Sequence, residues 1–347
     1  MSDNVSDEEQ QQQMEEISIC AAVWLKVFAF LDPVELGLKL ALISDRLDFL
    51  VDEHFKLRKW SLNSLQIRRA IKGKNGAHIV NEFSGEQLPI PHGPLPNQVI
   101  DFKWIGISYV DQPVIGFLQR IRRLFDSCGT NVLIDSYDDD SRSVEIIWQN
   151  IWPLITDNIC SFSLDPSVLD RLRQFSPAIL CNCANLRSLS CCYVLFPELP
   201  AEHNAGASPG QAVAKWLLAP PREDGLPKML CCRFYSSGME GLKGAFVNAL
   251  EPLNFIISFD IDGDDHLVPF ELHNILTGER LTFRRFNEDK WLLVRCPIAR
   301  EETKWAKWEE EALVWPWCWW SRQRNRIFIT FEGSDIGVLD ANDEGPR

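Results

Sequence analysis

NICSFSLDPSVLDRLRQFSPAILCNCANLRSLSCC, residues 158–192, carries the chain through a strand, a helix and a second strand. NICSFSLD is short, apolar and rich in residues that suit a pleated surface. Val168–Ile179 reads as a helix, and NLRSLSCC opens the next strand at Asn185. The two strand openings lie 27 residues apart. The interval recurs outward: WIGISYVD opens at Trp104 and NVLIDSYD at Asn131. After a longer gap PKMLCCRF opens at Pro227 and NFIISFDI at Asn254, again 27 apart. Helical patterns at Val114–Phe125, Val144–Ile155, Ala212–Leu218 and Leu242–Leu250 fill the intervals. A recurring strand plus helix predicts an α/β fold in which successive units stack along one sheet.

One strand and one helix in about 27 residues is the size and order of a leucine-rich-repeat-like α/β solenoid. LxxLxL is not obeyed cleanly, and Asn opens the strands rather than closing them, so the solenoid is expected to be irregular. An ordinary α/β domain with partly coincidental spacing is the alternative. The long gap before Pro227 holds FPELPAEHNAGASPG (196–210), expected as a surface loop or a spacer. From Glu271 the period fades. ERLTFRRF (279–286), KWLLVRCPI (290–298) and RIFITFEG (326–333) read as strands of a small antiparallel piece. Between the last two lies a charged helix with Trp305 and Trp308, then Trp315, Trp317, Trp319 and Trp320. A solenoid needs its last open face covered, and this segment suits that role. Trp315, Trp317, Trp319 and Trp320 are also candidates for holding a client protein, since Trp dominates binding energy at interfaces.

Near the N-terminus, Ile19, Val23, Val27 and Leu31 recur every fourth position, with Cys20, Trp24 and Phe28 beside them. That is a broad apolar face on one helix. Asp32 can cap the next helix, Pro33 suits its first position, and Glu35 completes a capping-box pattern. Leu36, Leu40 and Ile43 line that second helix on one side, with Leu38 and Leu42 on another. Ser44-Asp45 can cap a third helix carrying Leu47, Leu50 and Phe55 and ending near Trp60. Three short helices in about 45 residues bury only part of their apolar surface. The remainder marks packing on the rest of the chain or a partner surface. A Pro-rich run, PIPHGPLP (89–96), reads as an extended linker after a strand at Ser64–Ile71.

These N-terminal residues resemble the F-box. Val27-Phe28-Ala29-Phe30-Leu31-Asp32-Pro33 follows that family's apolar helix and aromatic-Leu-Asp-Pro turn, and Leu36, Leu38, Ile43-Ser44 and Arg46 follow in register. Ile19-Cys20 stands where Leu-Pro is usual, and Leu47 where the family has Trp. The resemblance covers about residues 18–60. It implies docking on a Skp-type linker protein and a cullin ligase core, making the chain the substrate-recognition subunit of an SCF-type ubiquitin ligase. Ile19, Val23, Val27, Phe28, Leu31, Pro33, Leu36, Leu40 and Ile43 are the candidate docking residues, some of which must form the unit's own core. A non-ligase interaction scaffold, with these helices capping the solenoid, is the alternative.

The organisation expected from sequence is thus α/β: a disordered acidic tail (1–16), an F-box-like three-helix domain (17–61), and a linker with first strands (62–103). Repeats of about 27 residues follow (104–270), then a strand- and Trp-rich C-terminal cap (271–340) and a disordered tail (341–347). The net charge is −14, and residues 1–16 contribute six acidic groups and no basic one. Nucleic-acid binding needs a basic footprint, and the overall acidity argues against it; the one basic run, Lys56, Arg58, Lys59, Arg68, Arg69, Lys72 and Lys74, reads as a solvated face. The acidic start lacks the features of an export signal, and no run of about 18 apolar residues suggests a membrane span. The eleven cysteines are then expected as reduced thiols of a cytoplasmic or nuclear protein. No cofactor or metal is expected: zinc-ligand spacing is lacking, and Asp260–Glu271 departs from a calcium loop at the Gly position. No catalytic motif was found, and the chain is read as an adaptor rather than an enzyme.

Overall fold

The computed structural model describes residues 19–31, 35–57, 60–70, 76–82, 85–95, 97–125, 129–135, 141–191, 195–220, 224–260, 267–287, 290–314 and 324–339. The chain is mixed α/β and divides into two compact units, Met1–Arg58 and Lys59–Arg347. No helix among the described residues is long and apolar enough to cross a membrane.

The first unit holds α1 (Ala21–Phe28), a π-helical turn α2 (Leu36–Leu40) and α3 (Asp45–Leu57). Ser44 caps α3 as its residue type predicts: its Oγ accepts from Leu47 N at 3.3 Å. The third helix ends at Leu57, short of the expected Trp60, because Trp60 opens a strand of the second unit. Asp32, Pro33 and Val34 lie outside the described residues.

The second unit is built on a 13-stranded sheet in the order β10-β11-β12-β9-β8-β7-β6-β5-β13-β4-β1-β2-β3. The strands are β1 (Trp60–Arg69), β2 (Ala77–Asn81), β3 (Gln87–Pro89), β4 (Val99–Ile107), β5 (Thr130–Ile134), β6 (Ile159–Leu164), β7 (Ser188–Cys191) and β8 (Lys228–Arg233). β9 (Phe255–Asp260), β10 (Phe270–Asn274), β11 (Glu279–Arg285), β12 (Lys290–Pro297) and β13 (Arg326–Ile329) complete it. From β1 through β4, β13, β5, β6, β7 and β8 to β9 every pairing is parallel. Antiparallel strands close both ends. The region expected as linker and first strands thus supplies four strands of the sheet.

The expected interval is visible in the register. Ser161 in β6 pairs with Ser188 in β7, and Met229 in β8 with Ile256 in β9, 27 positions apart each time. Between β5 and β6 the step is longer: Thr130 already pairs with Ile159, 29 positions on, and a bulge adds one more where Asn131 meets Ser161. One row of side chains is apolar across eleven strands: Leu65, Ile105, Ile327, Val132, Phe162, Leu189, Leu230, Ile257, Leu293, Phe283 and Phe270, with every member but Phe270 buried. This row explains the pairing order, because a slip by one residue would turn it to the opposite face.

The connecting helices are α4 (Gln112–Phe125), α5 (Ser141–Ile146), α6 (Trp152–Ile155), α7 (Pro166–Phe175), α8 (Ile179–Asn182), α9 (Pro209–Leu217) and α10 (Ser236–Val247). Trp152 packs on Phe162 at 5.5 Å, and Arg295 lies 5.2 Å over the Phe246 ring, so α6 and α10 cover the face of the apolar row. α11 (Glu302–Val314) covers the opposite face at one end, where Trp305, Ala312 and Leu313 pack with Met229, Ile256, Leu292, Val294 and Cys296.

Two expectations are corrected. RIFITFEG is not part of an antiparallel C-terminal piece: β13 runs parallel between β4 and β5. Its Ile327, Ile329 and Phe331 are buried, so this segment belongs to the core. The 196–210 stretch is not a spacer either. Phe196 is buried and stacks on Phe259 at 5.8 Å, while Arg173 Nη2 donates to Ala207 O at 2.6 Å. Gly238 in α10 makes room for Phe196, since a Cβ there would collide with its ring.

Candidate functional site

The three-helix unit sorts its apolar residues into two sets. Phe28 and Leu36 are 0% exposed, and Leu47, Leu50, Val51 and Phe55 join them. Phe28 packs edge-on against His54 at 5.5 Å and near Trp24 at 5.7 Å. On α3 the buried positions fall three and four apart, the spacing of one helical face. Phe28 and Leu36 were expected among the docking residues. They are corrected to core residues, since nothing outside the unit can reach them.

The other set faces outward. Val23 and Val27 stand one turn apart on α1, and Ile19 extends the same stripe by one turn. They are 46%, 41% and 39% exposed. Phe30, three residues after Val27, is 90% exposed. After α2, Leu42 and Ile43 are largely exposed, and on α3 Phe49 is as well. Leu31 and Leu40 are half-buried, and Pro33 lies outside the described residues. Sequence reading missed Phe30, Leu42 and Phe49 as surface residues. The signal for Phe30 was present, since it continues the stripe of Ile19, Val23 and Val27.

Polar groups hold the unit around this surface. Arg46 Nη2 donates to the Ile19 carbonyl at 2.7 Å and ties α3 to the residues before α1. Lys56 pairs with Glu53 at 2.7 Å, and that hydrogen bond raises the Lys56 ammonium above its ordinary pKa. Such exposed pairs contribute little to stability. Leaving several large apolar side chains in water is the unfavourable feature, because fully burying one is worth about 1.5–3 kcal/mol.

In the second unit the Trp residues divide. Trp305 is buried on the sheet, edge-on to Trp308 at 5.2 Å, with Arg300 over its ring. Trp315, Trp317, Trp319 and Trp320, the candidate client-binding residues, lie outside the described residues. So do residues 262–265 of the acidic turn. Among the described residues no group of His, Cys, Asp and Glu could hold a metal ion. Cys183 is buried, which pushes its thiol pKa up to about 12 and keeps it from acting as a nucleophile. Burial likewise raises the Cys181 and Cys296 thiols.

No family model matches the chain, and no curated protein matches it either.

Proposed function

We propose that the chain is a substrate-recognition adaptor of an SCF-type ubiquitin ligase. In this reading the three-helix unit is F-box-like and docks on a Skp-type linker protein, and that linker carries the cullin core. The larger unit is an irregular leucine-rich-repeat-like solenoid that holds a client protein. The observation that carries the reading is the exposed stripe Ile19, Val23, Val27 and Phe30 on a unit with its own closed core. A stripe of this kind on a stable small unit is what a partner helix can cover. The resemblance of Val27–Pro33 and the residues that follow to the F-box supplies the identity of the partner. The adaptor performs no bond chemistry itself; it brings the client near the ubiquitin-conjugating enzyme, where proximity raises the rate.

The test is co-purification of the full chain with a Skp-type protein and a cullin. Val27→Asp together with Phe30→Asp places two charges on the exposed stripe and leaves Phe28 and Leu36 untouched. The pair is expected to abolish co-purification while circular dichroism stays unchanged. Retained binding by a folded double variant would refute the docking role.

A further inference from the structure

The Pro-rich run PIPHGPLP (89–96) joins β3, at one end of the sheet, to β4 in its interior. It is not a slack linker. Arg120 of α4 donates from Nη2 to Pro91 O at 2.6 Å. Arg123, one helical turn on, donates from Nη1 to Asn97 O at 3.3 Å and to Val99 O at 2.7 Å. Leu88 and Ile90 are buried. The run is thus held by its backbone on both sides of His92–Leu95. Residues 90–95 form no helix or strand, and Pro89, His92, Gly93 and Pro94 are exposed, with Pro91 and Leu95 half-buried.

The sequence fixes the conformation of this exposed stretch. Proline locks its own φ, and it bars the residue before it from the helical region. Only His92 among residues 89–95 is neither a proline nor directly before one. The local preference is therefore polyproline II, with three residues per turn. On that period Pro91 and Pro94 share one edge, and Pro89, His92 and Leu95 share a second. The third edge holds Ile90, which is buried, and Gly93, which carries no side chain. Two edges of the rod face outward and the third is turned to the protein. From Gln87 to Ile100 there is no Asp, Glu, Lys or Arg, in a chain that is 24% charged. Recognition of this stretch must then use shape and ring contacts rather than ion pairs.

We infer that Pro89–Leu95 is a ligand for a partner protein whose groove is lined with aromatic side chains, of the kind found in WW and SH3 domains. Such grooves seat proline rings against flat aromatic faces and take a rod that is already formed, so little ordering entropy is lost. The ties to Arg120 and Arg123 add to that preorganisation. The inference does not rest on the ligase reading, because it uses a loop of the larger unit and its own partner.

The test sets the full chain against a panel of purified WW and SH3 domains by biolayer interferometry. At least one domain is expected to bind saturably. Pro91→Ala with Pro94→Ala removes both rings of one edge and is expected to weaken that binding about tenfold or more. Gly93→Ala lies on the inward edge, where a Cβ would meet nothing within 4 Å. It is expected to leave the affinity within about twofold of wild type. A synthetic peptide of residues 86–98 is expected to compete for the same domain, less tightly than the full chain because it lacks the two arginine ties. The same double substitution in the peptide is expected to abolish competition, and it reads the ring contacts with no fold to lose. A full chain that binds no domain of the panel, including one whose run is taken up by a second copy, would overturn the inference. So would binding indifferent to the double substitution, or a peptide that fails to compete.

Discussion

Asn325 is where the inserted strand is most exposed to a single substitution. It is fully buried, and its backbone lies in the left-handed region with φ 54°. Its side-chain Oδ1 accepts from Phe102 N at 3.1 Å, its N donates to Phe102 O at 2.7 Å, and its O accepts from Asn131 N at 2.9 Å. Asn131 Nδ2 in turn donates to Arg324 O at 3.0 Å, and Arg324 pairs with Asp101 at 2.8 Å. Together these bonds set the register of β13 against both neighbours. Asn325→Ala keeps the backbone bonds but leaves the Phe102 amide buried without its acceptor, at ~1–3 kcal/mol. The left-handed conformation disfavours a Cβ by ~1–2 kcal/mol, a cost that Asn325 already bears and that Ala would bear as well. The loss is therefore about 1–3 kcal/mol. Asn325→Gly removes the conformational part, and about 0.5–1 kcal/mol of added chain entropy offsets some of that relief. The order of stability is expected to be wild type, then Gly, then Ala. Denaturant midpoints of the full chain report the order, and hydrogen exchange at the Phe102 and Asn131 amides reads the slot directly. Two compact units make a single unfolding free energy unsafe, which is why the local measurement is needed. An Ala variant equal to wild type in both, or a Gly variant less stable than Ala, would refute the clamp.

Two further outcomes follow from buried charges. Arg295 and Glu279 are each 1% exposed and joined at 2.6 Å, and Glu279 also accepts from Leu253 N at 2.7 Å. Arg295→Met alone is expected to cost about 3–5 kcal/mol by stranding the carboxylate, whereas adding Glu279→Leu should return part of it; a double-mutant cycle on denaturant midpoints measures the difference. Asp111 caps α4, accepting from Val114 N at 3.1 Å, and burial raises its carboxyl above the ordinary value despite the bonds from Val114 and Ala77. With the folded pKa above the unfolded one, the folded state holds the proton more tightly, so this group's contribution to stability falls as pH rises from the unfolded pKa through the folded one. Asp111→Asn keeps the cap without the buried charge. Its stability relative to wild type should therefore improve at neutral pH and fade on acidification, as urea midpoints across pH would show.

Much of the larger unit was legible because β-strands buried on both faces read as apolar runs, and because the helices between them keep one face apolar. The 27-residue interval is present at Ser161/Ser188 and Met229/Ile256. The step to β6 departs from the interval, since Thr130 pairs with Ile159, 29 positions on, and the bulge beside Asn131 adds one more. In the small unit the pattern located the helices and the Ser44 cap. It did not sort Phe28 from Val27, because adjacent positions on a helix differ by only about 100° and a broad apolar face includes both.

Local sequence determined where strands and helices form, since alternation, helical spacing and capping are properties of neighbours in the chain. It also determined that the first helices carry more apolar surface than they can enclose. Only the tertiary structure decided that Arg326–Ile329 enters the sheet between β4 and β5, rather than pairing with its sequence neighbours. That choice rests on burying Ile327, Ile329 and Phe331 and on the bonds of Asn325 to Phe102 and Asn131, partners about two hundred residues away. Contacts that distant leave no periodic trace in the segment that makes them. Which strands end the sheet was decided in the same way, by where the chain placed β3 and β10 once the apolar row was aligned.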